Sequence, residues 1–97
     1  MEYGVYVRCE YRHVVQPSRY YYGPYPTKED AKKDFQVARQ KLVEQWEIDD
    51  EWDITADDSE NFDANKWGRD YVYAGVMDYD EMLKLQEEVE RFEEASI

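Results

Sequence analysis

Cysteine, histidine, proline and glycine are all scarce in this 97-residue chain, and it contains no long apolar run. Cys9 is the only cysteine, so an intramolecular disulfide is excluded, which fits a reducing compartment. The first residues lack the basic region and apolar stretch of a signal peptide, and no window approaches the roughly 20 apolar residues that span a membrane. The sequence therefore predicts a soluble, cytoplasmic protein without membrane contact.

Residues that would support catalysis or metal binding are also few. His13 is the only histidine and falls on the apolar side of a predicted strand, and Cys9 lies in the middle of that strand. The chain has no glycine-rich phosphate loop and no zinc-ligand spacing. The sequence therefore predicts a protein that is not an enzyme and that carries no cofactor and no metal.

Aromatic residues, in contrast, are plentiful. They make up 16 % of the chain, with ten tyrosines and three tryptophans, whereas disordered acidic chains are poor in aromatics. The length suits a single domain over residues 1–97. We therefore expect one folded domain with a small core built largely from rings, whose tyrosine hydroxyls lie at the surface or find hydrogen-bond partners.

The first half of the chain has the pattern of two strands followed by a helix. Apolar and polar residues alternate from Tyr3 to Val15, which is typical of a half-buried strand. A turn at 16–18 and a return strand at 19–22 complete a predicted hairpin. Thr27 is a predicted N-cap, and apolar residues then recur every three or four positions in a helix predicted to end near residue 46.

The second half repeats this order less clearly. A short strand is predicted around Trp52, and a turn at 65–70 precedes a strand at 71–77. Asp78 is predicted to cap a last helix, whose buried stripe begins at Met82. The sequence thus predicts an α+β fold with an antiparallel sheet of three or four strands and two amphipathic helices, in the order ββα-ββα.

Charge is distributed unevenly along the chain. The formal net charge is −12, but residues 1–42 carry +3 and residues 43–97 carry −15. Residues 44–63, the acidic segment, contain ten carboxylates and no Lys or Arg. The ten are Glu44, Glu47, Asp49, Asp50, Glu51, Asp53, Asp57, Asp58, Glu60 and Asp63. Each close pair of exposed like charges costs on the order of 1 kcal/mol in water, so we expect the array to serve the binding of something positive.

The acidic segment is also compatible with a solvated loop or a calcium-binding loop. A run of charge is most often a solvated loop, although the apolar residues inside this run would fix its backbone. From Asp49 to Glu60 the spacing of oxygen ligands matches a calcium-binding EF-hand loop, but Ile54 stands where the turn of that loop needs glycine. The end of the last helix, with Glu90 and Glu94, extends the predicted negative surface.

A fixed array of carboxylates resembles the regular negative charges of a nucleic-acid backbone, which lie about 1.7 Å apart along the duplex axis. In small size, high acidity, aromatic content and lack of catalytic motifs, the chain resembles the small acidic DNA-mimic inhibitors carried by phages and plasmids. Members of that class block restriction enzymes, CRISPR effectors, repair glycosylases or nucleoid proteins. The resemblance is one of physical properties, covers mainly residues 44–63 and includes no sequence motif. It implies an inhibitor in the host-cell cytoplasm that occupies the basic DNA- or RNA-binding groove of a target.

The candidate partner-binding residues are therefore the ten carboxylates of the acidic segment together with Glu90 and Glu94. The expected partner is a nucleic-acid-binding protein with a basic groove. The tyrosines at 20–22 would suit stacking on bases, but the net charge repels nucleic acid, so direct nucleic-acid binding is not expected. The alternative function is a non-catalytic interaction module that binds a basic protein or self-associates as a homodimer.

Overall fold

The fold is described by a computed structural model, which covers the backbone of residues 1–10 and 18–95 and the side chains of residues 1–10 and 18–89. In chain order the elements are β1 (Tyr3–Glu10), β2 (Ser18–Tyr25), α1 (Lys28–Gln45), β3 (Asp53–Asp57), β4 (Asn61–Lys66), β5 (Asp70–Asp78) and α2 (Tyr79–Ala95). The five strands form one sheet in the order β2-β1-β5-β4-β3, and neighbouring strands are antiparallel. Strands β2 and β3 are therefore the edges of the sheet.

Strand β1 shows how the alternation in the sequence separates the two faces of the sheet. Val5 and Val7 belong to the hydrophobic core, and because side chains alternate along a strand, Tyr6 points to the opposite face. There Tyr6 packs against Tyr21 and Tyr73, with ring centroids 5.3 and 5.9 Å away. The predicted strand is thus present over the residues described, but it is not half-buried: Gly4 and Tyr6, on the second face, are buried as well.

Helix α1 covers the core face of the sheet. Thr27 is its N-cap, as predicted, because Thr27 Oγ1 accepts a hydrogen bond from the Asp30 backbone N–H at 3.1 Å. Ala31, Phe35 and Leu42 lie one or two turns apart on the same side of the helix and are all buried in the core. The periodicity in the sequence therefore gives the correct buried side of α1.

The C-terminal strands complete the core beneath α1. Phe62 and Ala64 of β4 and Val72 and Ala74 of β5 are fully buried, and Trp52, just before β3, joins them. Since these residues alternate with polar ones, the polar neighbours in β4 lie on the other face of the sheet.

Helix α2 packs on the face of the sheet opposite to α1. Its first turn is capped as predicted, because Asp78 Oδ1 accepts a hydrogen bond from the Asp80 backbone N–H at 3.0 Å. Met82 is 1 % exposed, and a Cβ added to Gly4 would come within 2.7 Å of its sulfur. Gly4 alternates with Val5 of the core, so this contact lies away from α1. A side chain larger than glycine at this position would force the Met82 side chain to move.

The predicted strand count and order are wrong. The sheet has five strands in the chain order ββαβββα, not three or four strands in the order ββα-ββα. The unpredicted strand is β4, in which Phe62 is the one strong strand former. This strand is stabilised by pairing with both β3 and β5 and by burial of Phe62 and Ala64, which local preference does not capture. The α+β class, the antiparallel pairing and the two helices agree with the prediction.

Some predicted features fall on residues outside the described part of the chain. They are the continuation of the first strand to Val15, including His13, and most of the turn at 16–18, of which Ser18 already belongs to β2. Among the helices described, neither combines the length and the apolar character that crossing a lipid bilayer would require.

Candidate acidic interface

The beginning of the acidic segment is anchored to the core by two tryptophans. Trp46 caps the C-terminus of α1, and the backbone N–H of Ile48 donates to the Val43 carbonyl at 3.1 Å. Trp52 is 7 % exposed and packs edge-on against Trp46, with ring centroids 6.0 Å apart. The backbone of residues 46–52 is therefore held at both ends.

A tight turn lies between these anchors. Asp49 Oδ1 accepts a hydrogen bond from the Glu51 backbone N–H at 2.9 Å, and the Asp49 carbonyl accepts one from the Trp52 N–H at 3.1 Å. An aspartate that bonds the backbone two residues on fixes the local turn. The side chains of Glu47 and Asp50 are exposed on either side of Asp49, so they project into solvent from a hydrogen-bonded turn.

Asp57, farther along the segment, docks the edge strand β3 on α1. The guanidinium of Arg39 donates from Nε and Nη2 to the two carboxylate oxygens of Asp57 at 2.7 and 2.8 Å. The carbon of this guanidinium also lies 5.2 Å from the ring centroid of Phe62. The hydrogen bonds from Arg39 lower the pKa of Asp57 below its ordinary value. The charge of Asp57 is therefore already neutralised within the fold.

Two more carboxylates of the segment form ion pairs with bases from outside it. Glu60 pairs with Lys28 at the start of α1, and Glu51 pairs with Lys66 at the end of β4 at 3.2 Å. The segment has no base of its own, but the fold supplies these two and Arg39. The negative field of the segment is consequently weaker than the sequence predicts.

Asp58 and Asp63 stabilise local structure through neutral donors. Asp58 Oδ1 accepts hydrogen bonds from the backbone N–H groups of Glu60 and Asn61, both at 2.8 Å, and these bonds lower the pKa of Asp58. Asp63 accepts a hydrogen bond from the Tyr71 hydroxyl at 3.0 Å. Burial, together with this bond, raises the pKa of Tyr71 to about 12. The two aspartates thus support the β3–β4 turn and the sheet face opposite α1.

The remaining five carboxylates all lie between residues 44 and 53, and we call this group the acidic edge. It consists of Glu44, Glu47, Asp49, Asp50 and Asp53, and all five are exposed. Within the part of the chain that the structure describes, none of the five forms an ion pair with a base. The group runs from the last turn of α1 to the first residue of the edge strand β3.

Glu90 and Glu94 lie in α2, and their side chains are outside the described part of the chain. The helix that carries them begins against Gly4 of β1, and β5 and β4 separate β1 from β3 in the sheet. The structure therefore brings together the carboxylates in the first part of the acidic segment. The start of α2 lies two strands away from β3 and is not part of this group.

The residues that a calcium site or a reactive thiol would need are placed unfavourably for either. Asp53, Thr55 and Asp57, three of the presumed calcium ligands, lie on the extended strand β3 instead of in one loop. No group of three or more metal-ligating side chains occurs among the residues described. Burial raises the pKa of the Cys9 thiol, which keeps it protonated and a poor nucleophile.

Sequence reasoning overlooked two features at this site. One is the set of ion pairs from Arg39, Lys28 and Lys66, which join residues that no local pattern connects. The other is Trp67, whose side chain is 71 % exposed in the turn between β4 and β5. A bulky aromatic residue directly before Gly68, inside a predicted turn, was the available signal for it.

No protein-family model matches this chain, and neither the curated proteins nor the solved structures include one with significant similarity to it.

Proposed function

We propose that this protein is an inhibitor that acts by nucleic-acid mimicry, its acidic edge occupying the positively charged DNA- or RNA-binding groove of a target protein. The observation that carries the proposal is the placement of five exposed carboxylates without ion-pair partners, among the residues described, on a backbone anchored by Trp46 and Trp52. An anchored array loses less conformational entropy on binding than a mobile acidic tail would lose.

The acidic edge is suited to recognition and to fast association more than to high affinity. An exposed ion pair contributes about 0–1 kcal/mol, whereas the summed field of several like charges raises the association rate and disfavours acidic competitors. Asp57, Glu60 and Glu51 already have partners in the fold, so we expect them to contribute less than the acidic edge does.

The kind of target follows from the charges that the acidic edge complements. Proteins that bind DNA or RNA neutralise phosphates with Lys and Arg, and this term supplies most of their non-specific affinity. A CRISPR effector, which holds nucleic acid in a positively charged channel, or a restriction enzyme has the required kind of groove. The proposal therefore concerns a non-catalytic protein with a protein partner.

A pull-down with charge variants tests both the proposal and the location of the surface. The acidic-edge variant carries Glu47→Lys, Asp50→Lys and Asp53→Lys, and leaves Asp49 in place because it closes a turn. The matched control variant carries Glu2→Lys, Glu81→Lys and Glu88→Lys. All six positions are exposed, so both variants change the net charge equally and leave the core untouched.

Wild-type protein and the control variant should retain the same nucleic-acid-binding protein from a nuclease-treated lysate, and the acidic-edge variant should lose it. Equal loss by both variants would show that total charge matters and the acidic edge does not. A retained partner that still binds nucleic acid while in the complex would contradict mimicry and favour the simpler interaction module.

A further inference from the structure

The turn between β4 and β5 presents a tryptophan to solvent. Trp67 is 71 % exposed, whereas Trp52 is 7 % exposed and Trp46 is half-buried beside it. Fully burying an aromatic side chain removes about 150–250 Å² of surface from water. Because most of the Trp67 side chain stays in water, its burial contributes little to the stability of the fold.

Trp67 also occupies a backbone position that disfavours its side chain. Its φ is 54° and that of Gly68 is 66°, and the Arg69 backbone N–H donates to the Lys66 carbonyl at 3.0 Å to close the turn. Tight hairpin turns with positive φ at both central residues favour Asn-Gly, and bulky residues rarely adopt positive φ. The fold therefore gains neither burial nor backbone relaxation from tryptophan at this position.

A lysine side chain links the exposed ring to the acidic segment. The Lys66 ammonium lies 4.8 Å from the ring centroid of Trp67 and 3.2 Å from a carboxylate oxygen of Glu51. Asn65 of β4, two residues before Trp67, pairs with Asp53 of β3, which belongs to the acidic edge. The ring is thus held at the same end of the sheet as the acidic edge, with the neighbouring lysine neutralised by Glu51.

We propose that Trp67 takes the place of a nucleobase, stacking in a slot of the target where an unstacked base normally stacks, while the acidic edge takes the place of phosphates. The inference rests on the proposed function and narrows the partner to a protein that binds single-stranded nucleic acid or extruded bases. Such proteins combine a basic groove with aromatic or guanidinium stacking platforms. A duplex, whose bases are stacked inside, presents no free planar ring.

Direct contact between Trp67 and nucleic acid is the less favoured interpretation. Lys66 and Arg69 flank the ring as they would in a base-stacking site. However, Lys66 is paired with Glu51, and Asp53 lies across from Asn65, so phosphates would meet carboxylates beside the ring. A basic protein groove complements this arrangement better.

The test uses the partner that wild-type protein recovers in the pull-down, purified, and compares its affinity for wild type, Trp67→Ala, Trp67→Phe and Leu83→Ala. Leu83 is the matched control, because it is exposed at 42 % and lies on α2 away from the acidic edge. Trp67→Ala should weaken binding by about tenfold or more, as loss of a central aromatic anchor does. Trp67→Phe should retain most of the affinity, since stacking tolerates any aromatic ring, and Leu83→Ala should bind as wild type.

Two further measurements complete the test. Wild-type protein should displace a labelled single-stranded oligonucleotide from the partner, and Trp67→Ala should do so about tenfold less effectively or worse. The protein alone should not bind that oligonucleotide.

Each failure has a distinct meaning. Unchanged binding of Trp67→Ala while the acidic-edge variant fails would overturn the base-mimic inference and leave the proposed function standing. Unchanged binding of the acidic-edge variant would remove both. A partner that binds only duplex, equal losses in Trp67→Ala and Leu83→Ala, or direct binding of the oligonucleotide by this protein would each overturn the inference.

Discussion

Asp50 and Asp57 belong to the same acidic segment, yet their side chains have different roles. Both are exposed, but Asp57 is held by two hydrogen bonds from Arg39, whereas Asp50 lies next to a turn that Asp49 closes. At the scale of single residues, each carboxylate must therefore be judged by its contacts. Those already paired with a base are poor candidates for partner binding, because a partner would have to replace an existing ion pair.

Asp57→Asn should lower the melting temperature at pH 7, and this effect should shrink toward pH 2 as Asp57 becomes protonated. The Arg39 hydrogen bonds lower the folded-state pKa of Asp57. Its ionised form therefore stabilises the fold above the unfolded value of about 3.9, and this contribution is lost as pH falls through the lower folded pKa. Thermal melts across this pH range measure the effect.

Asp50→Asn is the control for this prediction. It removes the same charge from an exposed position without an ion pair among the residues described, so it should cause no loss of melting temperature at either pH. A destabilisation by Asp57→Asn that is equal at pH 7 and pH 2 would show that the Arg39 pair is not its cause.

Trp67→Asn should raise the free energy of unfolding. The left-handed backbone conformation costs a residue with an ordinary side chain about 1 kcal/mol or more, and asparagine tolerates it best in a turn followed by glycine. Chemical denaturation would measure a gain of about 1 kcal/mol. A clear loss of stability would mean that the ring packs on the fold more than its exposure indicates, which would weaken its assignment as an anchor.

At the scale of elements, a helix or strand is predictable when the local sequence pattern alone specifies it. The alternation around Val5 and the cap at Thr27 are local signals, so β1 and α1 were predictable from the sequence. Strand β4 was not predictable, because its formation depends on pairing with two neighbouring strands and on the burial of Phe62. The division of the acidic segment into paired and exposed carboxylates depends on the same long-range packing.

The contact between α2 and β1 gives a prediction at this scale. Gly4→Ala should destabilise the fold by about 1–3 kcal/mol, as overpacking typically does, since the new Cβ would lie 2.7 Å from the Met82 sulfur and 3.1 Å from the Tyr22 carbonyl oxygen. Met82→Ala alone should cost about 2–5 kcal/mol. In the Met82→Ala background the cost of Gly4→Ala should fall, because the closest atom is gone.

A double-mutant cycle in urea measures this coupling between Gly4 and Met82. Additive effects of the two substitutions would contradict the described packing of α2 against β1.

At the scale of the whole molecule, the fold determines where the acidic edge lies relative to the sheet. The acidic edge ends at β3, the sheet edge farthest from β2, and β2 belongs to the half of the chain with net charge +3. The exposed carboxylates of the acidic edge are therefore gathered at one side of the sheet. Such a distribution orients a basic partner during its approach and speeds association.

Salts should stabilise the fold mainly by screening. With a net charge of −12, sodium, magnesium and calcium chlorides at equal ionic strength should raise the melting temperature by similar amounts. A saturable rise at micromolar calcium, lost in Glu60→Gln, would instead indicate a specific site. Glu60→Gln also removes the Lys28 pair in every salt, so only the calcium-specific increment is diagnostic.

Competition with nucleic acid tests mimicry most directly. The purified partner, saturated with a labelled nucleic acid that it normally binds, would be titrated with wild-type protein, the acidic-edge variant and the matched control variant. Mimicry predicts that wild type and the control displace the nucleic acid, that the midpoint rises in proportion to the nucleic-acid concentration, and that the acidic-edge variant fails. A ternary complex that keeps the labelled nucleic acid bound would contradict it.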